Sequence, residues 1–141
     1  MKKFLDSNIL VYTIDDRNPT KRAIAMKIVG DAVGNDQAVY ISTQTLMEFS
    51  NVMLKKLQVP ISFVDRCVRC FSRLPTIKPD AALISRGLTI KERYGIQFYD
   101  AMMLAAAERA GAEEFYSEDL NDGQIYCGMK AVNPFKTEEV A

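Results

Sequence analysis

A chain of 141 residues, 48% apolar and 26% charged, is sized for one soluble domain rather than two. Its 18 basic and 18 acidic residues balance, so net charge argues neither for nor against a nucleic-acid partner. Histidine is absent, which excludes imidazole bases, Ser-His-Asp and Cys-His nucleophile pairs and His-ligated zinc. Acid–base or metal chemistry must then rest mainly on Asp and Glu.

Phe4-Leu5 reads as a short buried strand that runs into Asp6, and Ile9 to Ile14 as the start of a short helix. Asp15 to Pro19 is a turn, and Pro19 suits the first position of a helix. That helix is expected over Thr20–Val33, with Ala23, Ile24, Met26, Ile28 and Val29 apolar and Gly34-Asn35-Asp36 as the stop. Ala38–Ile41 reads as a second strand. Ser42 or Thr43 then caps a helix to about Leu57, with Leu46, Phe49, Met53 and Leu57 as its buried stripe. After Pro60, Ser62 is expected to cap a helix that turns Phe63, Val64, Cys67, Val68, Phe71 and Leu74 inward.

Between Pro75 and Pro79 there is room only for a very short strand, and Asp80 opens a helix that ends at Gly95. Gln97–Ala110 is the last long helix, closed by Gly111. Glu114–Ser117 and Lys130–Val132 read as strands on either side of a turn-rich loop, and a polar tail starts at about residue 137. Strands alternating with helices predict an α/β fold with a parallel sheet covered on both faces, in a single domain over 1–141.

Cys67, Cys70 and Cys127 make an odd set. Cys67 and Cys70 match C-x-x-C inside a helical pattern with no second pair, so they are expected as buried helical thiols in a reduced, cytoplasmic setting. The N-terminal apolar run is interrupted at Asp6, so no signal peptide is expected, and no run is long enough to span a membrane.

Asp6 and Asp119 follow strands, while Glu48 and Asp100 lie near the first turns of helices. In a parallel α/β layout those positions share one sheet edge, where ligands bind. Asp100 is the only charged side chain between Arg93 and Glu108, on a helix apolar nearly all round. Read singly, Asp100 fits an N-cap or a dipole-matched acid, Asp6 a turn or cap residue, and Glu48 a solvated first-turn acid. Asp119 competes with Glu118 and Asp122. Together, four carboxylates in one pocket make sense only with cations to neutralise them, and all-oxygen ligation selects Mg²⁺ or Mn²⁺. Such ions activate water and orient a phosphodiester. Asn8 and Ser117 are candidates to orient ligands or water, or are turn residues.

Asp6 with Asn8 in Phe-Leu-Asp-Ser-Asn, Glu48 after the second strand, Asp100 in Tyr-Asp-Ala and Ser117-Glu118-Asp119 after the fourth strand resemble the PIN domain. The motif Ser-Glu-Asp-Leu-Asn-Asp-Gly is similar to VapC-type toxins of bacterial toxin–antitoxin systems. The resemblance implies a three-layer α/β/α domain with a mainly parallel sheet. It implies a Mg²⁺- or Mn²⁺-dependent endoribonuclease, a cognate antitoxin that inhibits it, and often a homodimer. Carried over, Asp6, Glu48, Asp100 and Asp119 are the acidic quartet, of which Asp6, Asp100 and Asp119 ligate metal; Ser117 matches the Ser/Thr two positions before the last acid. Asp122 has no secure counterpart and is a further candidate ligand. Lys2, Lys3, Lys55, Lys56, Lys91 and Arg93 are candidates for RNA contact or ordinary surface charges. The apolar helices around Leu46–Leu74 are a candidate groove for an antitoxin segment.

Two other readings remain: a non-catalytic PIN-like module that binds RNA or protein, and an aspartate-nucleophile phosphatase. The second wants an acid two residues after the nucleophile, where this chain has Asn8.

Overall fold

Phe4 and Leu5 are adjacent and both fully buried, yet they belong to different cores. Successive side chains of a strand point to opposite faces, so a strand apolar at both positions must be covered on both sides. The same alternation holds in the neighbouring strands: Phe115 packs into one core and Tyr116 against the other, and Val39 and Ile41 sit opposite Tyr40. The sheet is therefore the middle layer of three.

The computed structural model describes residues 1–34 and 38–136. In chain order the elements are β1 (Lys3–Leu5), α1 (Ser7–Ile14), α2 (Pro19–Gly34), β2 (Val39–Ser42), α3 (Thr43–Lys55), α4 (Ile61–Phe71), β3 (Thr76–Ile77), α5 (Ala81–Tyr94), α6 (Phe98–Ala110), β4 (Glu114–Tyr116), β5 (Ile125–Tyr126) and β6 (Met129–Val132). The sheet order is β3-β2-β1-β4-β6-β5, parallel throughout except for the β5–β6 hairpin. Helices α1 to α4 supply the core on one face and α5 and α6 the core on the other. From β1 the chain first builds outward through β2 and β3, then crosses back to β4 on the other side. The carboxyl edge between β1 and β4 is thus the point where strand order reverses, and open α/β sheets bind ligands there.

The predicted α/β architecture with its mainly parallel sheet is the observed one, and most element boundaries fall within two residues of expectation. Ser42 caps α3 in a reciprocal capping box with Thr45, Asp80 caps α5, and Gly95 and Gly111 end α5 and α6 in left-handed conformation. Some expectations need correction. Ser62 does not cap α4; the helix starts earlier, with Pro60 at the cap position and no side-chain cap bond. Asp100 is not an N-cap either, because Gln97 occupies that position and Asp100 falls inside the first turn. Of the expected inward stripe of α4, only Val64 is fully buried, with Leu74 just beyond the helix; Cys67 is half-buried and Cys70 exposed. Cys67 still packs against the core with Val68 and Phe71, so the thiol that departs from expectation is Cys70. The strand β5 was not expected at all. Cys127 and Gly128 both have positive φ and close a two-residue hairpin between β5 and β6. The expected stop at Asn35-Asp36 and the polar tail from 137 lie outside the described residues.

Helix α6 is buried from Ala101 through Ala107, and its alanines let α5 approach closely. At the crossing, Gly87 faces Met102: a Cβ at Gly87 would overlap the Met102 sulfur. Arg86 then clamps the two helices by donating from Nε and Nη2 to Glu108 at 2.8 and 2.9 Å. Gly87→Ala should lose on the order of 1 kcal/mol in urea denaturation, because displacing Met102 costs more than the helix gains from alanine. The double variant with Met102→Ala should lose less than the sum of the single variants. Strict additivity would mean that the two side chains do not compete for this space.

Candidate active site

Asp6 is the residue after β1 and the N-cap of α1, so a single position ends the strand, starts the helix and places its carboxylate at the switch point. One oxygen accepts from the Ser7 backbone N–H at 2.7 Å, and the other accepts from the Ser117 hydroxyl at 2.7 Å. The side chain is buried and faces no basic partner. Burial pushes its pKa up to about 7, against the lowering effect of those two hydrogen bonds, and the Asp119 and Glu48 charges add to the rise.

Asp100 reaches the same place from the first turn of α6, where an acid also suits the helix dipole. It is half-buried, and burial raises its pKa, with Asp119 and Glu48 adding to the effect. Asp119 comes from the loop after β4 and is exposed. One oxygen from each of Asp6, Asp100 and Asp119 lies within 4.8 Å of the others. Like charges about 4 Å apart repel by roughly 4 kcal/mol at the dielectric of a partly buried site and by about 1 in bulk water. Among the described residues no lysine or arginine pairs with any of the three.

Ser117 and Asn8 brace the group. Besides donating to Asp6, the buried Ser117 Oγ accepts from the Asp119 backbone N–H at 3.0 Å and from Asn8 Nδ2 at 3.4 Å. Asn8 Nδ2 also donates to Asp119 at 3.1 Å, while its Oδ1 is buried with no partner among the described residues. Three converging carboxylate oxygens, no internal counter-charge and an orphaned amide oxygen suit a hard divalent cation and suit no soft metal. The residues that could hold it are Asp6, Asp100 and Asp119.

Glu48 lies nearby but outside this trio. It is half-buried, accepting from Ser7 Oγ at 3.1 Å and from Gln44 Nε2 at 3.0 Å. Gln44 in turn donates to the Tyr99 carbonyl, so α1, α3 and α6 are tied together around this carboxylate. Asp122 stands apart, exposed, with its carboxylate accepting the Asn133 backbone N–H at 2.8 Å. Of the six basic candidates, Lys56 lines a pocket that adjoins the acids. Lys2 and Lys3 sit at the start of β1 over the Tyr40 and Tyr116 rings. At the far end of α5, Lys91 donates to the Ile96 carbonyl and Arg93 lies over Tyr94. Sequence reading passed over Arg17, which lines the Lys56 pocket; in the sequence it is one charge in a polar turn.

A family model described as PIN domain matches residues 3–121. No curated protein matches the chain. Among solved structures it is similar to a toxin–antitoxin complex from Klebsiella pneumoniae, with TM-score 0.67 and 21% identity over 94% of this chain and 98% of that one. It is also similar to VapC20 of Mycobacterium tuberculosis, a sarcin-ricin loop cleaving toxin (TM-score 0.67, 14% identity, 84% and 92% covered). A third is VapBC2 from Rickettsia felis bound to a DNA fragment from its promoter (TM-score 0.62, 20% identity, 93% and 97% covered). At these identities the likeness is one of fold.

The raised pKa of Asp6 has a sign that can be tested. Below 3.8 its carboxyl is protonated whether the chain is folded or not. Between 3.8 and about 7 the unfolded chain releases the proton while the native state keeps it. Stability from this group therefore falls as pH rises through that window and is flat above it. In EDTA, the melting temperature should drop between pH 4.5 and 7.5, and Asp6→Asn should flatten that part of the slope. Identical slopes in the two proteins would contradict the assignment.

Proposed function

Because the chain belongs to the PIN domain family, we propose that it is a metal-dependent endoribonuclease and the toxin of a toxin–antitoxin pair, acting as a single nuclease domain over 1–141. The observation that carries this reading is the meeting of Asp6, Asp100 and Asp119 within 4.8 Å, with no internal cation to offset them. Those three residues would hold Mg²⁺ or Mn²⁺, which when bound supplies charge neutralisation at a phosphodiester and a more acidic water. The protein's own part is to hold the ligands in place. Ser117 fixes Asp6 and the Asp119 backbone, and Asn8 fixes the Asp119 carboxylate. Glu48 serves as the fourth acid, held ready by Ser7 and Gln44. Its place outside the trio suits a role toward water or substrate better than direct ligation. Asp122, occupied by the Asn133 backbone, is left out of the site.

The partners follow the same reading. The Klebsiella neighbour is a toxin–antitoxin complex, and the Rickettsia neighbour is VapBC2 on promoter DNA. On this chain, a groove of about 370 Å³ between α3 and α4, with Leu46, Met47, Leu54 and Val68 in its lining, offers an apolar seat for an antitoxin segment. A second apolar hollow of about 440 Å³, with Ile14, Met26, Val29 and Phe63 in its lining, lies between α2 and α4. Exposed Ile84 and Leu88, one turn apart on α5, offer a face for the second copy of a homodimer. Among the described residues no helix is long and apolar enough to cross a membrane; a cytoplasmic setting is part of the same proposal.

Purified protein should cleave total RNA in Mn²⁺ or Mg²⁺ and stop in EDTA. Asp100→Asn should reduce cleavage by on the order of a hundredfold or more while the protein stays folded by circular dichroism. RNA that binds but survives intact in every divalent metal would favour the non-catalytic module instead.

A further inference from the structure

Beside the acidic trio lies a pocket of about 270 Å³, with Asn8, Val11, Arg17, Val52, Lys56 and Asp119 in its lining. Asp119 belongs to the trio and Asn8 donates to it, so the pocket adjoins the acids. Its charge is more nearly balanced. Of the three carboxylates in its lining, Asp119 faces no cation among the described residues, and the other two are already matched. Asp15 accepts from Arg17 Nε and Nη2, both at 2.8 Å, and Glu118 pairs with Lys21 at 3.0 Å. Tyr12 donates to Glu118 at 2.7 Å, and Lys21 lies over the Tyr12 ring, which makes that wall rigid. Lys56, exposed at the end of α3, has no carboxylate partner among the described residues. Arg17 uses only two of its nitrogens on Asp15 and is itself well exposed. Half-buried Val11 and Val52 supply an apolar part of the same lining.

Phosphate next to three carboxylates is repelled unless positive charge sits close by. A hollow below the roughly 300–1,000 Å³ of sites for drug-sized ligands suits one unstacked unit, and RNA is read through unstacked nucleotides. We infer that this pocket receives the nucleotide next to the bond that is cut, with its base or sugar against Val11 and Val52 and its backbone phosphate held by Lys56 and Arg17. The inference rests on the nuclease reading and names where that enzyme grips its substrate. Lys56 is then a binding residue, and the pair Asp15–Arg17 a preset arm of the same clamp.

A cation at the end of α3 also suits the helix dipole, and the chain contains its own control. Lys55 sits at the same helix end without lining the pocket. Both Lys55→Gln and Lys56→Gln change exposed side chains and should fold. Steady-state cleavage of a single-stranded RNA of random sequence is compared with fluorescence anisotropy of the same labelled RNA in EDTA. Lys56→Gln should raise KM and the dissociation constant about three- to tenfold and lower the log–log salt slope by about one, with kcat unchanged. Lys55→Gln should stay close to wild type in all of these. Equal behaviour of the two variants, with cleavage intact, would overturn the pocket and leave the nuclease reading standing. Lys56-dependent binding without cleavage in any metal would keep the pocket as an RNA grip and overturn the nuclease reading. Neither binding nor cleavage would overturn both.

Discussion

Asp6 closes the central strand of the sheet with 3% of its surface exposed, among other carboxylates and paired with no basic group. A protein that needed only a turn at this position would expose the acid or match it with a lysine, because an isolated buried charge is costly. Instead burial raises the carboxyl's pKa to about 7, with Ser7 and Ser117 holding both oxygens in place. A divalent cation would convert this liability into a set of ligands, and the surrounding structure reads as the means of keeping that arrangement fixed. Ser117 ties the end of β4 to the end of β1, and Asn8 ties α1 to the loop that carries Asp119.

The fold delivers these groups from distant parts of the chain through one simple device. Parallel strands point their carboxyl ends the same way, so whatever follows β1 and β4 is brought side by side. The start of α6 is added by packing, since the buried Ala101–Ala107 run lets the helix lie close on the sheet. Glu48 arrives by a different route, through α3 and the Ser7 and Gln44 hydrogen bonds. That explains why it stands near the trio without joining it. On the Asn8–Asp119 side, the Asp15–Arg17 and Glu118–Lys21 pairs and Lys56, unpaired among the described residues, offset the carboxylates within a few residues, and a polyanion approaching the acids would require that balance.

Much of this was legible in the sequence, because the strongest signals are local. An apolar pair that runs into Asp6, an acid alone on an apolar helix and a Ser-x-Asp after a strand each mark their positions before any coordinates exist. What escaped depends on tertiary context. Glu48 lies nearly opposite the apolar stripe of α3, which suggests solvent until α1 is seen to pack on that side. Asp122 looks like one more acid in the loop, and only the turn toward Asn133 shows that it is spent on a backbone N–H. The strand β5 is two residues long, too short for any periodicity, and its turn uses Cys127 where Asn or Asp is the usual signal. Both thiols of α4 were expected inside; Cys67 does pack against the core, while Cys70, three residues on, falls on the exposed side of the same amphipathic helix.

The central claim is that Asp6, Asp100 and Asp119 jointly bind one hard cation. Crystals soaked in Mn²⁺ and measured at a wavelength where manganese scatters anomalously test it directly. The account predicts an anomalous peak within ligating distance, about 2.0–2.3 Å, of an oxygen from each of the three side chains. A Mn²⁺-soaked crystal with no peak there, or with its manganese held elsewhere, would contradict it.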